Sequence, residues 1–141
     1  MSKIYIAADH GGFALKAILK GYLTSHTVID LGTKSLESVN YPDYAQKLAD
    51  ALKTDPDALG ILICGTGLGM CMAVNRHQHI RAARCSTGLD AQLARQHNNA
   101  NVLCLGGRVL GDELAKHIVD AFLAFSFDGG RHQTRVDQFS C

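Results

Sequence analysis

The stretch ILICGTGLG at residues 61–69 decides the fold of this chain. Its first half is an apolar run rich in β-branched residues, which is typical of a strand buried on both faces. Its second half holds three glycines at alternate positions, a pattern that regular strands and helices do not favour. Residues 70–75 then predict a buried helix. We therefore expect a strand, a glycine loop and a helix N-terminus, with Cys64 at the carboxyl end of the strand, where parallel sheets bind ligands.

Strands and helices alternate along the whole chain on either side of this stretch. This alternation predicts an α/β fold: a single-domain, doubly wound α/β/α sandwich over residues 1–141, with a five-stranded parallel, Rossmann-like sheet and a C-terminal helix. In the first helix, Lys16 is expected to lie opposite the apolar stripe. The predicted strands are residues 3–8, 27–31, 58–63, 81–85 and 102–105, and the predicted helices are residues 13–23, 41–52, 70–75, 87–97, 111–125 and 131–139.

Composition argues against several classes of protein. The chain has 141 residues and a net charge of +1, so it is long enough for one core and carries no basic footprint for nucleic acid. No apolar run approaches the roughly 18 residues of a membrane span, and a strand begins where a signal peptide would lie. Five cysteines without CxxC spacing indicate reduced thiols, so we expect a cytoplasmic protein. Cys141 is interpreted as an exposed tail residue.

Polar and reactive side chains follow three of the predicted strands. Asp9 and His10 follow the first strand, Cys64 and Thr66 lie at the end of the third, and Arg108 follows the fifth. Because the carboxyl ends of parallel strands lie at one edge of a sheet, we expect these side chains to meet there. A ligand site at this edge is the first functional hypothesis.

Two interpretations of the glycine loop are open. The loop lacks the last spacing of a GxGxxG fingerprint, and the chain has no GxxxxGK[ST] motif, which argues against a nucleotide site. The loop is therefore either a tight turn or an anion cradle, in which amides around Gly65, Gly67 and Gly69 face an oxyanion. Cys64 is correspondingly either a small buried hydrophobe or a reactive thiol, because a helix N-terminus favours the thiolate form.

The other candidates are histidines and arginines in the second half of the chain. His97 lies on the apolar line of its helix next to Asn98, so it is either a core or interface histidine or part of a site. Arg131 and Arg135 are four residues apart and share a helix face, which either grips a phosphate or is solvated. The HxH pattern at residues 77–79 has no two further ligands near it, so no metal site is predicted.

Six segments that span nearly the whole chain match one family. They are DHGGF at 9–13, YPDYA at 41–45, ILICGTGLG at 61–69, AQLARQHN at 91–98, GGRV at 106–109 and GRHQTR at 130–135. CGTG and ARQHN together are specific, whereas either motif alone is weak. On these segments the chain resembles ribose-5-phosphate isomerase type B, in the family that also contains the galactose-6-phosphate isomerase subunits.

The resemblance implies an aldose–ketose isomerase that interconverts ribose 5-phosphate and ribulose 5-phosphate, with no metal and no nucleotide cofactor. It implies that Cys64 moves the proton between C1 and C2, while Thr66 and His97 assist opening of the sugar ring. We expect these three residues at one edge of the sheet. The residues that it implies for substrate binding are Asp9, Tyr41 and Asn98 for the sugar, Gly65, Gly67 and Gly69 for the enediolate oxygen, and His10, Arg108, Arg131 and Arg135 for the phosphate.

The resemblance also implies a homodimer, or a tetramer built as a dimer of dimers, in which the His97-type residue reaches into the partner's site. One branch of the family has a glutamate base where Met70 stands here, and Met70 cannot take a proton, so Cys64 is the candidate base in this loop. Two alternatives stay open. One is an isomerase of a hexose phosphate such as galactose 6-phosphate or allose 6-phosphate, and the other is a non-catalytic sugar-phosphate-binding protein.

Overall fold

The computed structural model describes residues 2–139, so Cys141 lies outside the described residues. Among these residues no helix is both long enough and apolar enough to cross a membrane. The strands are β1 (Lys3–Ala8), β2 (Thr27–Asp30), β3 (Leu59–Cys64), β4 (Ala82–Arg84) and β5 (Val102–Gly106). The helices are α1 (Phe13–Tyr22), α2 (Tyr41–Thr54), α3 (Leu68–Val74), α4 (Gly88–Asn98), α5 (Asp112–Ala124) and α6 (Arg131–Val136), with a 3-10 turn at Asp137–Phe139.

All five strands are parallel and form one sheet in the order β2-β1-β3-β5-β4. Apolar side chains alternate between its two faces. Ile61 and Ile63 of β3 belong to the core under α1, α4 and α5, whereas Leu62 and Cys64 belong to the core under α2 and α3. Covering both faces requires near-continuous apolar strands, as the sequence has. The predicted doubly wound sandwich with a five-stranded parallel sheet is confirmed.

The strand order creates a crevice between β1 and β3. The helix after β1 is α1, which covers one face of the sheet, whereas the helix after β3 is α3, which covers the other. The loops that leave these two neighbouring strands therefore diverge. Such a switch point is where open α/β sheets bind ligands.

Lys16 lies inside the fold, so the prediction that it faces away from the apolar stripe of α1 is wrong. Its side chain is 2% exposed, and Nζ donates to the two carboxylate oxygens of Asp30 at 2.6 and 2.8 Å and to the carbonyl of Thr33 at 2.7 Å. Asp30 also accepts hydrogen bonds from Lys20 and from the amide of Gly32, both at 2.8 Å. Helical periodicity could not reveal this position, because the buried ammonium is compensated by groups from another part of the chain.

Replacing Asp30 by asparagine is expected to flatten the acid side of the stability profile. Burial raises the pKa of this carboxyl, but hydrogen bonds from Lys16, Lys20 and the Gly32 amide outweigh it and lower the pKa from 3.8 to about 2. A carboxyl of this kind contributes stability above its unfolded pKa and loses it as the pH falls towards the folded value. The urea midpoint of the wild type should therefore fall more steeply than that of Asp30→Asn between about pH 5 and pH 2. Asp57→Asn, a change at an exposed carboxylate, is the control, and equal slopes for wild type and Asp30→Asn would contradict the prediction.

The outer edge of β4 is covered by a side chain. Ala82 donates its backbone N–H to Oδ1 of Asn75 at 2.8 Å, and Nδ2 of Asn75 donates to the carbonyl of Ala82 at 3.0 Å. The side-chain amide thus makes the two hydrogen bonds that a neighbouring strand would make. Since Asn75 directly follows α3, this contact also ties the end of that helix to the sheet.

Candidate active site

Cys64 is the last residue of β3, and its thiol lies at the start of α3. The residue is 5% exposed, and the backbone N–H of Gly67 donates to Sγ at 3.1 Å. Gly67 precedes α3 with a φ of 82°, a left-handed conformation that glycine adopts without strain. The prediction that this thiol faces the helix N-terminus is confirmed. An N–H aimed at sulfur is suited to stabilising negative charge there.

The rest of the glycine loop is held from two sides. The exposed Thr66 accepts the N–H of Leu68 on its hydroxyl at 3.2 Å, and its carbonyl accepts from Nε of Arg84 at 2.8 Å. The amide of Gly107 donates to the carbonyl of Cys64 at 2.8 Å, which joins the loop after β5 to the end of β3. Held in this way, the loop keeps its hydroxyl and amides in fixed directions, as electrostatic preorganisation requires.

The loop after β1 packs directly against the glycine loop. Asp9 is buried, and its Oδ1 accepts the N–H of Gly11 at 2.9 Å. A Cβ on Gly11 would lie 3.0 Å from the backbone nitrogen of Gly65, so the two loops are in contact. His10 is fixed by a different segment, because its Nδ1 accepts the N–H of Val39 at 3.2 Å. In the neutral ring this contact places the proton on Nε2.

Tyr41 and Arg108 flank the glycine loop. A Cβ on Gly69 would lie 2.5 Å from Cζ of Tyr41, so the phenol ring lies against that glycine. Arg108 donates its backbone N–H to the carbonyl of Gly65 at 2.9 Å, and its side chain passes beside the same glycine. The prediction that the loops after the strands meet at the carboxyl edge is confirmed. The candidate residues at this edge are Asp9, His10, Tyr41, Cys64, Gly65, Thr66, Gly67, Gly69 and Arg108.

His97 lies at the opposite end of the sheet, so the prediction that it joins Cys64 and Thr66 at one edge is wrong for a single chain. The helix α4 begins beyond the carboxyl end of β4, runs antiparallel to the strands, and rises about 16 Å over its 11 residues. Its end meets the start of β4, where Nε of Arg81 donates to the carbonyl of Asn99 at 2.6 Å. Since the sheet is roughly 20 Å long, His97 cannot reach the thiol of its own chain.

Arg131 and Arg135 lie at this same amino end. The helix α5 also runs antiparallel to the strands and brings the following segment beside α4, where the N–H of Asp128 donates to the carbonyl of Gln96 at 3.0 Å. Both arginines are exposed on α6. Asn98 is exposed at the end of α4 and borders a groove of about 760 Å³. The predicted site is therefore divided, and its second group consists of His97, Asn98, Arg131 and Arg135.

His132 belongs with the second group, although it is not among the candidates predicted from the sequence. Its ring stacks on that of His97, with 4.2 Å between the centroids and 13° between the planes. Desolvation lowers the pKa of His132, as do the nearby His97, Arg131 and Arg135, so the neutral ring is favoured. The one signal in the sequence is its position directly after a candidate arginine.

The other described cysteines lie outside the carboxyl-edge group. Cys104 and Cys85 are buried, and burial raises the pKa of Cys85 to about 12. Cys71 on α3 is half-buried, and a hydrogen bond with the Cys104 thiol lowers its pKa to about 7, although burial acts in the opposite direction. Cys71 is therefore the thiol whose ionisation must be separated from that of Cys64 in any titration or labelling experiment.

Known proteins share both the sequence and the fold of this chain. A family model described as Ribose/Galactose Isomerase matches residues 4–139. Ribose-5-phosphate isomerase B of Escherichia coli strain K12 is 50% identical over 139 residues, which cover 97% of this chain and 93% of that protein. The crystal structure of a ribose 5-phosphate isomerase from Thermotoga maritima is 52% identical with a TM-score of 0.96, and the match covers 99% and 97% of the two chains. Ribose-5-phosphate isomerase B from Mycoplasma genitalium, solved with bound ribulose-5-phosphate, is 47% identical with a TM-score of 0.92 and coverages of 96% and 92%.

Proposed function

Because the chain belongs to the ribose/galactose isomerase family, we propose that it is an aldose–ketose isomerase that interconverts ribose 5-phosphate and ribulose 5-phosphate. The observation that carries this proposal is the buried Cys64 thiol at the end of β3, with the Gly67 amide 3.1 Å from its sulfur. Removing a proton beside a carbonyl requires a positioned base and donors that stabilise the resulting oxyanion. The bound ribulose-5-phosphate in the Mycoplasma genitalium relative supports a pentose phosphate as substrate.

The reaction begins with opening of the furanose ring. Thr66 and His97 assist this step by moving the proton of the C1 hydroxyl to the ring oxygen, which leaves an aldehyde at C1. Cys64, as thiolate, then takes the proton from C2, and the electron pair passes to the carbonyl oxygen to give an enediolate. Return of the proton to C1, together with transfer of the O2 hydroxyl proton to O1, leaves a carbonyl at C2 and a hydroxyl at C1, which is the ketose. Amides from Gly65 to Gly69 hold the enediolate oxygen during the transfer.

The remaining candidates fix the sugar phosphate while its other end reacts. Arginine side chains bind phosphate through charge-assisted hydrogen bonds, and a single phosphate handle sets the position of the whole substrate. Asp9, which is buried and immobilised by Gly11, is suited to a sugar hydroxyl. We assign His10, Arg108, Arg131 and Arg135 to the phosphate, and Asp9, Tyr41 and Asn98 to the hydroxyl groups.

The active unit is a homodimer in which each site is shared between two copies. In one chain the sheet separates Cys64 from His97 by roughly 20 Å, which supports a site completed by a second copy. That copy supplies His97, Asn98, Arg131 and Arg135 to the carboxyl edge of the first. Leu68 and Met72 on α3 are 48% and 65% exposed beside the glycine loop, and they offer an apolar surface for this association.

We expect kcat/KM for ribose 5-phosphate to exceed that for galactose 6-phosphate or allose 6-phosphate by at least about tenfold. A hexose places one more carbon between the phosphate and the reacting end, so the two ends cannot both occupy a site built for a pentose. Initial rates on all three sugars, measured with EDTA present, test this expectation. A larger kcat/KM for a hexose phosphate would contradict the pentose assignment. Tight binding by calorimetry with no turnover of any of them would favour a sugar-phosphate-binding protein.

A further inference from the structure

Three metal-ligating side chains from three segments converge at the amino end of the sheet. His97 lies near the end of α4, Asp128 in the connection from α5 to α6, and His132 in the first turn of α6. One ligand atom from each lies within 4.8 Å of the other two. Within residues 2–139, this is the one cluster of three or more histidine, cysteine or acidic side chains whose ligand atoms lie this close together. Imidazole nitrogen and carboxylate oxygen are ligands that Zn²⁺ and related divalent transition metals prefer.

The backbone holds this cluster in place, and the rings of His97 and His132 are stacked with 4.2 Å between their centroids. The amide of Asp128 donates to the carbonyl of Gln96, so the connection is fixed beside the end of α4. Zn²⁺ lies about 2.0–2.2 Å from nitrogen and oxygen ligands. The distances between the three ligand atoms must therefore shorten by on the order of 1 Å or more when the metal binds. Because a ring nitrogen binds a metal in the plane of its ring, one of the two stacked rings must also turn out of the stack. Asp128 is exposed and His132 is half-buried on the short α6, so side-chain rotation can supply these movements.

We propose that His97, Asp128 and His132 form a site for a divalent transition metal such as Zn²⁺, and that the bound metal inhibits the enzyme. Three protein ligands leave a fourth position for water or for a substrate oxygen. The inhibition rests on the proposed function, because the metal would occupy the imidazole nitrogen that His97 uses in ring opening. Metal binding itself does not rest on that function.

Binding is tested by calorimetric titration of the chelator-treated full chain with Zn²⁺. The wild type is expected to bind one Zn²⁺ per chain, and Asp128→Asn and His132→Gln each to bind about tenfold more weakly or worse. His77→Gln is the matched control, because His77 and His79 form a second histidine pair with centroids 6.0 Å apart, and it should bind as the wild type does. Wild-type affinity in both Asp128→Asn and His132→Gln would overturn the proposed site.

The spectrum of the Co²⁺-loaded chain separates this site from the thiols. Ligation by nitrogen and oxygen gives visible bands without a thiolate-to-cobalt charge-transfer band in the near ultraviolet. We expect no such band in the wild type, and we expect the visible bands to weaken in Asp128→Asn. A charge-transfer band that disappears in Cys64→Ser or Cys71→Ser would place the metal on a cysteine and overturn the proposal.

Inhibition is tested with Asp128→Asn, whose basal activity should match the wild type because this side chain is not in the proposed catalytic or binding groups. Zn²⁺ is expected to inhibit the wild type, and addition of EDTA is expected to restore its activity. Asp128→Asn should need at least about tenfold more Zn²⁺ for the same degree of inhibition. Equal sensitivity of the two enzymes would overturn the inhibitory role. A chain that binds Zn²⁺ at this cluster but turns over no sugar phosphate would instead overturn the proposed function and leave the metal site standing.

Discussion

Cys64→Ala is expected to lower kcat for ribose 5-phosphate by about a thousandfold while leaving its binding nearly unchanged. Alanine has no group that can take the C2 proton, whereas the proposed contacts to the phosphate and hydroxyls come from other residues. The side chain is small and buried, so its truncation removes little volume from the core. Ribulose 5-phosphate formation gives the rate, and calorimetry with ribose 5-phosphate gives the affinity.

Two further variants make this result specific to the Cys64 thiol. Cys71→Ala removes a half-buried thiol from α3, next to the same loop, and should keep most of the activity. Cys64→Ser keeps nearly the volume of cysteine but replaces the thiol with a much weaker acid, so it should be nearly as impaired as Cys64→Ala. A Cys64→Ala enzyme that turns over within tenfold of the wild type would contradict the assignment of Cys64 as the base.

Subunits carrying Cys64→Ala and His97→Ala, each inactive alone, are expected to recover about a quarter of wild-type activity when they are mixed. In a mixed dimer, one site combines the intact Cys64 of one copy with the intact His97 of the other, while the second site carries both defects. Random exchange makes about half of the dimers mixed, and each of these has one working site of two. The assay is ribulose 5-phosphate formation after co-refolding of equal amounts.

The matched control mixes Cys64→Ala with Thr66→Ala. Cys64 and Thr66 lie at the same edge of the sheet, so one copy supplies both residues to a given site. Every site in the mixed dimer therefore keeps one defect, and activity should not return. Native mass spectrometry reports whether mixed dimers have formed. If they have formed and Cys64→Ala with His97→Ala shows no recovery, then His97 does not complete the site of the neighbouring subunit, and its assignment to ring opening is wrong.

Local patterns predicted the sheet and its carboxyl edge well, because both follow from neighbouring residues. The run before Cys64 is apolar and short, and the glycines after it leave one plausible geometry for a strand-to-helix turn. The predicted first helix, residues 13–23, is α1 at Phe13–Tyr22. Lys16 was misplaced because periodicity records polarity, whereas its burial depends on Asp30 and on a carbonyl in the loop after β2.

The position of His97 was misjudged for a different reason, which is geometric. A helix that connects parallel strands must return the chain to the amino end, and 11 residues at 1.5 Å each are enough to do so. The sequence therefore contained the information that His97 ends far from Cys64. His132 could not be found in this way, because its contact with His97 depends on how α6 packs against α4.

The side chain of Asn75 limits how copies of this protein can assemble. Edge strands with unpaired backbone groups are templates for open-ended polymerisation, in which each added molecule exposes a new edge. Asn75 already occupies the amide and carbonyl of Ala82, and β4 is three residues long, so this edge offers little for another strand to pair with. The β4 edge is therefore a poor template for edge-to-edge pairing between copies of this chain.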